Sequence, residues 1–176
     1  MLHENSSETE LKDTVHQRDE ILKDRFDHLI ETCPVMDIEE AIKVEDFFRR
    51  VAVIVSDALE MSVDSVFDLL LEREQESSTA LNTYLAIPHI AIRGEHHFGI
   101  LIARCRDGIE FSEAAPRVHA AFVLIGTRNE RTFHLISLSA VAQIVQEEGF
   151  EEKWMAAGSP QALRDLILSG RRKRQS

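Results

Sequence analysis

Two stretches, Phe98-Gly99-Ile100-Leu101-Ile102-Ala103-Arg104-Cys105 and Val118-His119-Ala120-Ala121-Phe122-Val123-Leu124-Ile125, are apolar almost without interruption. A strand with one face in water alternates apolar and polar residues, whereas a near-continuous apolar run belongs to a strand covered on both sides. The chain therefore needs helices on either face of a sheet. Asp107-Gly108 gives a turn signal between the two runs, and Gly126 stops the second.

The surrounding sequence supplies those helices. Pro34-Val35-Met36-Asp37 reads as a short extended segment, and residues 38–60 follow as a helix whose apolar face includes Ala41, Ile42, Phe47, Phe48, Val51, Ala52 and Val55, with Asp46 as a point of interruption or re-capping. Ser62 or Asp64 caps the next helix, which buries Val66, Phe67, Leu69, Leu70 and Leu71. After the second apolar run, Thr132 is expected to cap a helix ending near Gly149, then a short helix holds the only tryptophan, and Ser159-Pro160 opens the last one. This order predicts an α/β fold, a single domain with a mixed β-sheet flanked by helices on both faces. The domain is expected over residues 29–170. Residues 1–28 form a charged helical extension, either a lead-in or a docking helix, on which Leu11, Val15, Leu22 and Phe26 make a narrow apolar stripe. Residues 171–176, with Arg171-Arg172-Lys173-Arg174, form a basic tail, either disordered or a contact for a membrane surface or acidic partner.

Charge narrows the function. A net charge of −11 argues against general nucleic-acid binding and suits a basic partner. Cys33 and Cys105 are far apart and offer neither a disulfide framework nor a zinc site. No apolar run approaches the ~20 residues of a membrane span and no signal peptide is visible, so the expected compartment is the cytosol. Walker, Rossmann and serine-elbow motifs are absent from the sequence.

The chemistry concentrates in EREQESSTALNTYLAIPHIAI, residues 72–92. Pro88 fixes its own φ and drives Ile87 extended, so His89 is expected on a rigid elbow where a strand stops. An imidazole held that way is a good nucleophile, although packing alone also accounts for a histidine at a strand end. The adjacent His96-His97 reads as a solvated loop pair, because neighbours on an extended chain splay apart, and His119 as a packed or hydrogen-bonded strand residue.

This stretch resembles the phosphorylation site of the fructose/mannitol-type enzyme IIA domains of the bacterial sugar phosphotransferase system. It keeps Arg73, Glu74, Ser78, Thr79, Ala86, Pro88 and His89 at the family's spacing, but has Ala80, Asn82, Tyr84 and Ile90 where the family has glycine. The likeness extends from about Val35 to Leu168. It implies a phosphohistidine carrier in which His89 takes a phosphoryl group from a phosphocarrier protein and passes it to a transporter's cytosolic B component. His134 matches the family's second histidine, and the first turn of a helix offers free N–H groups to a phosphate. Arg73 would bind phosphate oxygens in a fork, or else pair with Glu72 or Glu76 on the helix surface. Ser78 or Thr79 would give a hydroxyl and an N–H to the phosphoryl group, or simply form a turn. Neither cofactor nor metal is implied. The missing glycines, Tyr84 above all by covering the approach, imply slower transfer, and they leave open a non-phosphorylated regulatory module associated with a membrane transporter.

Overall fold

The computed structural model describes residues 23–174. Six strands and six α-helices follow one another along them: α1 (Arg25–Thr32), β1 (Val35–Ile38), β2 (Ile42–Lys43), α2 (Val44–Leu59), α3 (Val63–Glu76), β3 (Leu85–Ala86), β4 (His89–Ile92), β5 (Phe98–Glu110), β6 (Val118–Thr127), α4 (Arg131–Val145), α5 (Phe150–Ala156) and α6 (Pro160–Leu168). The two apolar runs are β5 and β6, paired antiparallel through the middle of one mixed sheet. Each outer edge is a strand in two pieces. β1 and then β2 run parallel to β5, and β3 and then β4 run parallel to β6.

Both faces are covered, as the apolar runs require. Leu101, Ala103, Cys105, Ala121, Val123 and Ile125 face a core closed by α2 and α3. Their neighbours Ile100, Ile102, Ala120, Phe122 and Leu124 face a second core closed by α1, α4, α5 and α6. Arg104, inside the first apolar run, is wholly buried and fully occupied: it forks onto Asp37 of β1 at 2.9 and 2.6 Å and donates to the carbonyls of Trp154 and Ala157. Its hydrogen bonds, and then its charge, hold the Asp37 carboxyl below the usual range despite partial burial.

Several local expectations change. Residues 38–43 are not helical; Ile42 and Lys43 find open ladder positions on β5, and α2 begins only at Val44. Asp107-Gly108 does not end a strand. β5 continues to Glu110 through a bulge, its partners jumping from Arg104↔Ala120 to Ile109↔Val118. Gly108 has φ +99°, and a Cβ there would stand 2.8 Å from Arg117 Cα, so glycine is required. Thr132 does not cap α4: a 3-10 turn over Arg128–Glu130 leads into the helix at Arg131, leaving Thr132 within its first turn. The helix also ends at Val145, before Gly149.

Both ends of the described chain are tied in. Asp24 and Asp27 form a reciprocal cap on α1, and Phe26, expected in a peripheral stripe, is only 1% exposed. Burying that ring contributes about 1.5–3 kcal/mol. The basic residues beyond α6 fold back on this cap. Arg172 reaches both Asp24 oxygens at 2.6 and 2.7 Å and Asp27 at 3.1 Å, with its guanidinium 4.6 Å over Phe26, and Arg174 also pairs with Asp27. Residues 171–174 are therefore a clasp, not a loose tail. Leu11, Val15 and Leu22 lie outside the described residues. No helix among the described residues is long and apolar enough to cross a membrane.

Candidate functional site

Pro88 divides one edge of the sheet. β3 ends at Ala86 and β4 begins at His89, both beside β6, with the Pro88 carbonyl accepting from Leu124 N at 2.9 Å. His89 is thus the first residue of a strand instead of the last. The elbow is fastened on its other side by Thr79, whose carbonyl accepts from Ile87 N at 3.0 Å.

The ring of His89 is oriented at both nitrogens. Nδ1 lies 2.9 Å from the Ile87 carbonyl, which can only accept, so Nδ1 carries the proton and the free lone pair of the neutral ring is on Nε2. Arg73, in the last turn of α3, donates from Nη2 to that Nε2 at 3.2 Å while Nη1 holds the Ser77 carbonyl and hydroxyl at 3.0 and 3.2 Å. Arg73 makes no ion pair with Glu72 or Glu76 among the described residues, so its surface-pair alternative is not the arrangement adopted.

His134, in the first turn of α4, stands edge-on to His89 with ring centroids 5.4 Å apart. Phe98 supports it from below at 5.6 Å and meets Phe133 at 4.9 Å. Gly126 makes room for this stack, since a Cβ there would lie 2.7 Å from the Phe98 ring. Burial, and secondarily the charge of His89, lower the His134 pKa to about 4, so the ring is neutral at pH 7 and can donate or accept one hydrogen bond. His89, His134 and Arg73 line one open cleft of about 730 Å³ together with Arg128, Arg131 and Leu135.

Ser78 and Thr79 are elsewhere. Thr79 is buried, with its hydroxyl donating to Glu74 Oε2 at 2.5 Å and its N–H to Oε1 at 3.0 Å. Both groups are committed to holding the loop that holds Ile87. Ser78 is exposed and accepts from Ala80 N in a turn. Neither lines the cleft. Tyr84 does not cover it either: the phenol donates to the Val145 carbonyl at the far end of α4, at 3.0 Å. Positive φ outside glycine occurs only at Glu60 and His96 among the described residues, so Ala80, Asn82, Tyr84 and Ile90 occupy backbone that any residue can adopt. His96 is exposed and accepts from Asn129 Nδ2, and His119 donates from Nδ1 to the Cys105 carbonyl at 2.9 Å. The residues unforeseen in sequence are Ile87, acting through its carbonyl, Phe98, and the pair Arg128 and Arg131. Only Arg131, three before His134, left a visible sign.

A histidine with a fixed tautomer, a guanidinium at its free nitrogen and a neutral second imidazole thus meet in one cleft of an α/β domain. Residues 35–170 match the family described as phosphoenolpyruvate-dependent sugar phosphotransferase system, EIIA 2, and the chain belongs to that family. The mannitol-specific phosphotransferase enzyme IIA component of Bacillus subtilis is 33% identical over 53% of this chain and 65% of its own length. The fructose-specific EIIABC component of the same organism is 27% identical over 57% of this chain, but the match covers only 16% of that protein. Among solved structures, the nitrogen regulatory protein IIA-Ntr of Neisseria meningitidis superposes with a TM-score of 0.69 at 25% identity, over 85% of this chain and 97% of its own.

Proposed function

We propose that the protein is a phosphohistidine carrier of the sugar phosphotransferase system. The observation that carries this reading is the pair of contacts on His89: the Ile87 carbonyl fixes the proton on Nδ1, and Arg73 addresses Nε2. Nε2 attacks the phosphorus of a donor phosphohistidine, an N–P bond forms as the donor's N–P bond breaks, and the donor imidazole leaves with the released electron pair. Arg73 then moves its N–H from Nε2 to a phosphoryl oxygen, and the neutral His134 donates to another. Such transfer relies on in-line positioning and charge stabilisation, which these groups supply. The second half of the cycle repeats the step toward an acceptor, the cytosolic B component of a membrane transporter. The chain works in the cytosol and meets the membrane through that partner.

Likeness to a nitrogen regulatory IIA protein supports a second reading, in which phosphorylated and free His89 are signals to a transporter and not steps in sugar uptake. One experiment separates the outcomes. Radiolabelled phosphocarrier protein is incubated with the chain and with His89→Ala, then a B domain is added. Label on the wild type alone supports the carrier; retention of that label after addition of the B domain favours the regulatory role. Equal labelling of both proteins, or none of either, overturns both.

A further inference from the structure

The His89 cleft continues into a second hollow of about 850 Å³ between the end of α2 and the loop after β4; Leu69, Ala91 and Arg128 line both. Arg93 and Arg128 stand on the walls of the second hollow, and Arg128 and Arg131 on those of the first. All three are exposed, and among the described residues none has an ion pair. Elsewhere Arg25, Arg49, Arg50, Arg104 and Arg172 each hold a carboxylate. The chain has 31 acidic and 20 basic residues, yet these three guanidiniums without an ion pair stand on the walls of the His89 cleft and of the hollow joined to it. Glu60, Glu72 and Glu76 share the walls without pairing to them.

A single phosphoryl group is already served by Arg73 and His134. Three further arginines spread over two joined hollows reach beyond one small anion and suit an extended acidic surface. Leu135, 56% exposed on the same wall, adds an apolar contact. We propose that Arg93, Arg128 and Arg131 form a docking surface for a partner protein that presents carboxylates around its own phosphoryl-bearing or phosphoryl-accepting residue. This rests on the carrier reading of His89, and it reverses the expectation drawn from net charge: the molecule is acidic overall, but the walls of these two hollows carry four arginines, Arg73 included, against three glutamates. Complementary fields act mainly on encounter and orientation, so the arginines would steer an acidic partner onto His89 against the repulsion of the rest of the surface.

The test uses the full ¹⁵N-labelled chain titrated with octaglutamate, octalysine, octathymidylate and inorganic phosphate at low and high salt. Octaglutamate should move the amides of Arg93 and of the first turn of α4, with affinity falling about tenfold or more as salt screens the contacts. The shifts should vanish in the triple variant R93E/R128E/R131E, whose unchanged melting temperature excludes misfolding. The proposal is overturned if octaglutamate leaves those amides unmoved or octalysine moves them equally. It also fails if phosphate alone reproduces the shifts at equal affinity, or if octathymidylate binds more tightly, making the occupant a small anion or a nucleic acid. Phosphoramidate, a small donor needing no docking surface, is added separately to wild type and His89→Ala and read by intact mass. Absence of a His89 adduct would remove the carrier reading, while the peptide titration still reports the surface chemistry.

Discussion

Phosphorylating His89 should change the charge of His134. In the unphosphorylated protein His134 titrates at about 4, because burial and the neighbouring His89 charge both oppose its protonation. A phosphoryl group on Nε2 brings a charge of roughly −1.5 to −2 beside it. At the 5.4 Å ring separation, one unit charge at an effective dielectric of about 20 interacts by about 3 kcal/mol, or about two pKa units. The cleft is open to water, so halving that figure is reasonable, and the full phosphoryl charge then raises the His134 pKa by about two units, to about 6. The sign is fixed by the anion, which favours the imidazolium. Near pH 5 the ring is therefore neutral before phosphorylation and mostly charged after it. Carbon–proton correlation spectra of the ring Cε1, recorded across pH with and without phosphoramidate and assigned with His134→Gln, read the shift directly. A His134 titration unmoved in fully phosphorylated protein would refute the placement of the phosphoryl group between the two rings.

Replacing Arg73 by Lys should slow single-turnover labelling of His89 by about 10- to 100-fold, because one ammonium cannot hold Ser77 and address Nε2 in the fixed fork geometry of a guanidinium; rates equal to wild type would show that Arg73 is only a helix-end tie. Arg172→Met should cost about 3–5 kcal/mol in urea unfolding at pH 7, since it strands the nearly buried Asp24 carboxylate and leaves Asp27 with Arg174 alone. Burial pushes the Asp24 carboxyl up, but the Arg172 hydrogen bond, the Asp27 N–H and the Arg172 and Arg174 charges outweigh it and hold the pKa at about 2; the wild-type stabilisation is present above 3.8 and lost as pH falls through 2, so the penalty of the substitution should shrink across that window, and a penalty independent of pH would contradict the pairing. Arg25→Ala removes a bond to Glu130 at 2.7 Å and a guanidinium 4.1 Å over Phe133, the ring that backs the Phe98–His134 stack; wetting that stack should raise the His134 pKa by about half to one unit, and an unchanged titration would uncouple α1 from the site.

Much of the site was legible because its parts are local in sequence. Pro88-His89 constrains its own backbone, and Arg73 lies one α-helical turn before the polar stretch that precedes it. The hydroxyl roles were not legible. Thr79 and Glu74 are five residues apart, and nothing in that spacing says that the glutamate turns back to take both the Thr79 hydroxyl and its N–H. The same holds for Tyr84, whose partner Val145 is 61 positions away. Nor does the absence of glycine at Ala80, Asn82, Tyr84 and Ile90 show in the backbone, which passes those points with ordinary φ.

The sequence by itself determined the layering. Two apolar runs with no polar face must be covered twice, and Ser62, Ser159 and Pro160 set helix starts through bonds made within a few residues. Tertiary structure decided whatever depends on a distant partner. Ile42 and Lys43 became strand because β5 offered an open ladder, Gly108 became a bulge because β6 could not match β5 residue for residue, and the C-terminal arginines became a clasp because Asp24 and Asp27 lay within reach. The setting of His89 belongs to both. Local sequence aims its Nδ1 at Ile87, two residues back, but the neutral His134 ring 5.4 Å away, 45 positions later in the chain, is there only because α4 packs against β6.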